Sequence, residues 1–307
     1  MEDKPKPIVS IRLMGGLCNI LFQIGALKGY ADKYNCQCRI YKSLIDGNNH
    51  STFDETLEMI SKLFPDIIIE SSLDIIINES HFDKIINIDG NDACKYVELP
   101  NPSPTDKMIL LKGYFQSEKY FPNNEPFLSN FKSLYPNNYM NISGNKFTFD
   151  NTYFIHIRMG DYIGHYLHYL GYKKYLTNAI NLINKYSEIH YKSKPRFLIC
   201  SNETNKEKVL NELGPDILNL MNEYIFEGGG NGGPLETLAH MGKCRGGIGV
   251  NSSFSWFGGY LCNMMFSGDG EPILILPNKW FNEAYIPFDK YRDIYPTTWK
   301  GLRILEV

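Results

Sequence analysis

Ile8-Val9-Ser10-Ile11-Arg12-Leu13-Met14-Gly15-Gly16-Leu17-Cys18-Asn19-Ile20-Leu21-Phe22-Gln23-Ile24 is the most telling stretch of this 307-residue chain. Ile8 to Leu13 is a short apolar run and reads as a buried strand. Gly15 and Gly16 break it, and Ile20, Ile24, Leu27 and Ala31 then recur at helical spacing. Strand, glycine turn and helix in direct succession open an α/β unit. Outward from there, residues 36–41 and 108–111 are candidate strands, and residues 115–120 a turn or short helix. Residues 57–89 alternate Ile-rich runs with acidic breaks and give no clear element.

Residues 121–150 are rich in Asn, Pro and Ser and mark a boundary region, so residues 1–140 and 141–307 are expected as two domains. Beyond the boundary, residues 153–157, 197–200, 224–226, 247–250 and 273–276 read as strands. Helices are expected at residues 172–191, 206–213, 235–241 and 254–266, with a glycine-rich loop at 228–233. The alternation predicts a parallel sheet in this half too. Two such halves would hold a ligand at the carboxyl ends of their strands.

Composition narrows the function. Lys and Arg number 31 against 34 Asp and Glu, a formal charge of −3. With no basic excess or stripe, a nucleic-acid partner is not expected. A hydrophobic fraction of 43% with 21% charged residues excludes a disordered chain. The 21 Tyr and 18 Phe serve either core packing or stacking on sugars and bases. Seven scattered cysteines without a Cys-x-x-Cys pair suit reduced thiols better than a disulfide framework or a zinc site. Met1 to Pro7 is charged and lacks an apolar core, so no signal peptide or amino-terminal anchor is expected, and the compartment is expected to be the cytoplasm. The uncharged run 246–268 is long enough to cross a bilayer. Asn251, Ser252, Ser253, Ser255, Asn263 and several glycines make it a buried strand, turn and helix instead.

Three segments can carry chemistry. His156-Ile157-Arg158-Met159-Gly160-Asp161-Tyr162 follows a buried strand. Arg158 offers a permanent charge and a planar fork of donors suited to phosphate, with the titratable His156 and Asp161 beside it. A structural ion pair at a strand end is the other reading. Gly249-Val250-Asn251-Ser252-Ser253-Phe254 runs from a strand into a helix. It is either a plainly capped helix or an anion site made of the cap and the free amides. Gly15-Gly16-Leu17-Cys18-Asn19 is not Gly-x-Gly-x-x-Gly, so a nicotinamide-dinucleotide fingerprint is not supported. Its glycines allow either a tight turn or close approach of a substrate to the backbone. Metalloprotease, α/β-hydrolase and P-loop motifs are missing from the sequence.

In order along the chain, these segments resemble those of the family 11 glycosyltransferases, α-1,2-fucosyltransferases that use GDP-fucose. Gly15 to Gln23 resembles the family's G-G-L-G-N-Q-x-F-Q. Leu111 to Phe121 resembles its central segment, His156 to Tyr162 its H-x-R-R-G-D-Y, Asn251 to Phe257 its N-S-S-F-S-W-W, and Pro277 to Phe281 its late proline–tryptophan segment. The resemblance implies a GT-B-like pair of Rossmann-type domains facing each other across a cleft, with acceptor on the amino-terminal side and GDP-fucose on the carboxyl-terminal one. It also implies inverting, metal-independent transfer of L-fucose to an acceptor hydroxyl, α-1,2 to a terminal galactose. No cofactor is implied, since GDP-fucose is a substrate. Arg158 matches the arginine that holds the donor's β-phosphate, and His156 is placed to touch the nucleotide. Asn19, with Gly15 and Gly16, matches a loop that approaches the fucosyl phosphate in the related protein O-fucosyltransferases. Asn251, Ser252 and Ser253 would cradle the pyrophosphate. Glu236 stands where an acidic residue recognises guanine in the wider superfamily, or is simply a solvated helix residue. Asp161 is the candidate general base, or else orients Arg158.

The chain departs from the family pattern at Met159, where the second motif arginine belongs, and at Cys18, Ile20 and Phe257. Glu236 replaces a more usual Asp. Met159 keeps two other readings open: a transferase for another deoxysugar nucleotide, and a catalytically inactive glycan- or nucleotide-sugar-binding protein.

Overall fold

The computed structural model describes residues 5–46, 53–70, 76–123, 127–137, 139–142, 145–228, 233–266 and 270–307. Most of the expected glycine loop, residues 229–232, lies outside the described residues. The chain divides into two compact units, Met1–Phe131 with Phe288–Pro296, and Lys132–Pro287 with Thr297–Val307.

The first unit runs β1 (Ile8–Ile11), α1 (Leu17–Tyr34), β2 (Gln37–Tyr41), α2 (Phe53–Leu63), β3 (Ile68–Glu70), β4 (Lys84–Asn87) and β5 (Met108–Lys112). All five strands are parallel, in the order β3-β2-β1-β5-β4. Two of them, β3 and β4, fall in the stretch that gave no clear element. At three and four residues they are too short for periodicity to show. The segment Phe288–Pro296 is pinned to this unit by Asp293, which accepts from the Tyr96 N–H at 2.9 Å and pairs with Lys119 at 2.5 Å. Burial alone would raise the Asp293 carboxyl, but Lys119 and that N–H outweigh it and hold it below its ordinary value.

A single turn, α3 (Phe131–Leu134), precedes the antiparallel pair β6 (Tyr139–Ile142) and β7 (Asn145–Thr148). The second unit continues with β8 (Thr152–Ile157), α4 (Lys173–Tyr191), β9 (Arg196–Ser201), α5 (Lys206–Leu213), α6 (Pro215–Leu218), β10 (Glu223–Gly228), α7 (Gly233–Lys243), β11 (Gly246–Ile248), α8 (Ser253–Met265), β12 (Ile273–Pro277) and β13 (Leu302–Leu305). The six-stranded sheet has the order β10-β9-β8-β11-β12-β13, all parallel. Counted within the sheet this is 3-2-1-4-5-6, the Rossmann order, with its switch point between β8 and β11. The α/β class and Rossmann-type sheets expected from the sequence are therefore present in both units.

The core of the second unit joins Tyr153, Ile155, Phe197 and Ile199 of the sheet to Tyr175, Ile180 and Ile183 of α4. Tyr175 is wholly buried, and its hydroxyl donates to the carbonyls of Gly249 and Ile275 at 2.7 and 3.1 Å. One aromatic thus packs the helix and also bonds the backbone just past β11 and within β12. The long uncharged run is β11 followed by α8, as expected. Among the described residues, no helix is long and apolar enough to cross a membrane.

Candidate active site

At the switch point of the second unit, β8 delivers His156 and Arg158, and the turn from β11 into α8 delivers Asn251 to Ser255. The two expected segments therefore come together.

Arg158 is held on two sides. Its Nε and Nη2 lie 3.1 and 2.9 Å from Asp161 Oδ1, and its guanidinium carbon sits 5.4 Å from the Tyr162 ring centre. Its Nη1 makes no bond to the described residues. Asp161 is exposed, and its position is that of an orienting partner for Arg158. Gly160 bridges the two with φ 66°, a left-handed conformation that L side chains rarely adopt. Asn202, just past β9, fixes the same turn by accepting the Met159 N–H at 2.8 Å. Met159 itself is 1% exposed and belongs to the core cluster, so the place of the second family arginine is taken by a packing residue.

His156 is 2% exposed. Its Nδ1 lies 2.7 Å from Ser255 Oγ, which also accepts the Val250 N–H at 3.0 Å, and its ring stacks on Phe254 at 5.0 Å. Ser255 Oγ thus bridges the Val250 N–H and the His156 ring and fixes the orientation of the imidazole. Burial, with Arg158 adding to it, pushes His156 down to about 3 from 6.5. The ring is therefore a neutral N–H donor at physiological pH. Below pH 6.5 the unfolded chain binds a proton that the native state refuses until about pH 3. This contribution to stability is complete above pH 6.5 and is lost on acidification, at up to ~1.4 kcal/mol per pH unit. Circular dichroism melts between pH 7 and 4 should show a shallower loss for His156→Asn than for the wild type. An equal slope would mean that His156 does not carry this dependence.

Ser252 caps α8, its Oγ accepting the Phe254 N–H at 3.3 Å, and Ser253 opens the helix half-buried. Asn251 is 1% exposed and spends its amide within the unit. Its Nδ2 donates to the carbonyls of His168 and Trp280 at 3.1 and 2.7 Å, and its Oδ1 accepts from the Tyr172 hydroxyl. It ties the segment after Arg158 to the late proline–tryptophan segment. Glu236 is half-buried on α7 and makes no hydrogen bond to the described residues.

Sequence reasoning missed a second carboxylate. Glu227, at the end of β10, is 7% exposed. Its Oε1 meets His240 Nδ1 at 2.7 Å and the Thr237 hydroxyl at 3.3 Å, while its buried Oε2 has no partner among the described residues. An acid closing the apolar run Tyr224-Ile225-Phe226 was the available signal.

In the first unit, the turn after β1 carries Gly15, Gly16 and Asn19. Gly15 has φ 79°, and a Cβ there would stand 2.7 Å from Asn19 Nδ2, so only glycine leaves that amide in place. Gln23, wholly buried, clamps the turn by accepting the Met14 N–H at 3.0 Å and donating to the Met14 carbonyl at 3.2 Å. Gln116, from the segment after β5, donates to Asn19 Oδ1 at 2.8 Å. Neither glutamine was singled out from the sequence. All seven cysteines are free thiols, and among the described residues no cluster of three or more His, Cys, Asp or Glu is arranged to hold a metal.

The sequence profile of glycosyl transferase family 11 matches residues 52–303. The chain, a glycosyltransferase by class, belongs to glycosyl transferase family 11. The match covers the Arg158 and Asn251 segments and begins after Asn19. No curated protein matches the chain. Among solved structures, fucosyltransferase NodZ from Bradyrhizobium is similar at 13% identity, covering 83% of this chain and 92% of that one, with a TM-score of 0.42. NodZ alpha-1,6-fucosyltransferase soaked with GDP-fucose is 14% identical over 84% and 93%, with a TM-score of 0.40. A glycosyl transferase family 9 structure from Veillonella parvula is 13% identical over 100% and 87%, with a TM-score of 0.41.

Proposed function

We propose that this chain transfers L-fucose from GDP-fucose to a hydroxyl of a terminal galactose, α-1,2, with inversion and without a metal or cofactor. The observation that carries the reading is Arg158. It lies at the carboxyl end of β8, at the switch point of a Rossmann-ordered sheet, with one arm of its guanidinium held by Asp161 and the other unengaged.

In such a transfer the acceptor oxygen forms a bond to C1 of fucose as the bond from C1 to the β-phosphate oxygen breaks. The electron pair leaves with GDP, and the acceptor's proton passes to a base or to water. Charge grows on the departing phosphate, and a fixed guanidinium binds that charge more strongly in the transition state than in the ground state. The helix amides at Ser252 and Ser253 add positive potential. His156 supplies a neutral imidazole beside the phosphate site. Asn19 offers its Nδ2–H₂ to the fucosyl phosphate, with Gly15 and Gly16 leaving room for it. Glu236, free of hydrogen bonds to the described residues, accepts from the guanine N1–H and N2 amine, a pair adenine lacks. Asn251 contributes by holding the segments around Arg158.

Asp161 is here an orienting residue. Asp161→Asn should lower kcat by about tenfold and leave the pH–rate profile unchanged. A loss of ~1,000-fold with disappearance of the acidic limb would make it the base. The reading as a whole is tested with a panel of GDP-, UDP- and dTDP-sugars in excess chelator. Turnover of GDP-fucose is expected, and turnover confined to another donor, or restored only by Mg²⁺ or Mn²⁺, would overturn it.

A further inference from the structure

Asn19, Gln116 and Cys94 form a chain of hydrogen bonds in the first unit that has one consistent polarity. Cys94 Sγ lies 2.9 Å from Gln116 Oε1, and Gln116 Nε2 lies 2.8 Å from Asn19 Oδ1. Cys94 is buried, and burial pushes its thiol far above the ordinary range, so it stays protonated and donates. Gln116 must then turn its carbonyl oxygen to Cys94 and its NH₂ to Asn19. The Asn19 carbonyl oxygen becomes the acceptor, and Nδ2 is the end left over. That Nδ2 makes no bond to any described residue.

The backbone is also arranged for this. Gln116 donates its own N–H to the Ala93 carbonyl at 2.7 Å. Phe115, directly before it, is wholly buried, packs edge-on against Tyr120 at 5.3 Å and has φ 51°. A bulky residue in the left-handed region is strained and persists only where the surroundings impose it. The strain lies in the segment after β5, next to the turn after β1, where the strand order of the first sheet reverses.

We propose that Gln116, held by Cys94, is a positioning residue that turns the Asn19 amide so that Nδ2–H₂ is presented to substrate as a hydrogen-bond donor. The inference rests on the reading of Asn19 as a contact to the donor's phosphate, an oxygen that can only accept. A free asparagine amide could equally present its oxygen, which would repel that phosphate.

The test uses the whole protein with GDP-fucose and a galactose-terminated acceptor. Gln116→Glu keeps the size but removes the donor, so that Asn19 flips to present its oxygen. Its kcat should fall about 10- to 100-fold with the acceptor KM unchanged, and in an Asn19→Ala background the same change should cause no further loss. Cys94→Ser, which keeps a donor, should retain most of the activity, and Cys94→Val should not. Losses that add in the double variant overturn the proposal. A second readout needs no turnover: in protein labelled with ¹⁵N-asparagine, the Asn19 side-chain resonances should move in Gln116→Glu and Cys94→Val and stay in Cys94→Ser. Resonances indifferent to Gln116→Glu refute the relay. Shifts of this pattern in the variants of a protein whose wild type does not transfer fucose count against the proposed function alone.

Discussion

Arg158→Ala should lower kcat for fucosyl transfer by about 100-fold or more, with the acceptor KM nearly unchanged. That is the scale seen when a preorganised charge-stabilising donor is removed from a reacting centre. The expectation follows from how Arg158 is held. Asp161 engages Nε and Nη2 and Tyr162 supports the face, so the guanidinium is oriented before substrate arrives. Met159 supplies no second charge, because its side chain is part of the core. The whole demand for a fixed cation in this segment falls on one residue. Arg158→Lys should lie between, since an ammonium keeps the charge and loses the fork. A rate within about threefold of wild type for Arg158→Ala would remove the arginine from the chemistry.

The second large effect is expected on stability. Asn251→Leu removes the donor to the carbonyls of His168 and Trp280 and the acceptor of the Tyr172 hydroxyl, which keeps only its longer bond to the His168 carbonyl. Losing a bond at a buried polar group costs about 1–3 kcal/mol, and loss of the three bonds together about 3 kcal/mol. For a unit of this size that is a fall in Tm of roughly 6–12 °C. Tyr172→Phe, which removes one partner and keeps the amide, should cost about 1 kcal/mol. A Tm for Asn251→Leu within about 1 °C of wild type would show that the amide does not hold these segments. The Asn251 side chain thus has its partners within the unit, where the sequence suggested a contact to the pyrophosphate.

What could be read from the sequence divides along physical lines. The alternation of apolar runs and helical spacing placed β1, α1, β5, β8, α4 and α5 because each is long enough, or flanked by sharp enough glycine breaks, for its period to show. The helix expected at 206–213 matches to the residue, and in the structure Asn205 caps its start and Gly214 follows its end. The strands β3, β4 and β13 were missed, being three or four residues long and stabilised by neighbours rather than by their own pattern. The return of Phe288–Pro296 to the first unit depends on Asp293 meeting Tyr96 and Lys119, pairings that no local pattern records. In the site, Arg158, Asp161, His156 and the Asn251 to Ser253 turn were legible because strand ends and helix starts announce themselves. Glu227, Gln23, Gln116 and Asn202 were not. Each works by bonding to a group 9 or more residues away, and nothing in the local sequence tells which polar side chain will find such a partner.

The most direct measurement is incubation of the protein with GDP-fucose and a galactose-terminated oligosaccharide in chelator, with the product's linkage and anomeric configuration read by NMR. The account predicts an α-linked fucose on the galactose 2-hydroxyl, formed with release of GDP and at a rate lowered about 100-fold or more in Arg158→Ala. No fucosylated product, alongside transfer from a different nucleotide sugar, would contradict it.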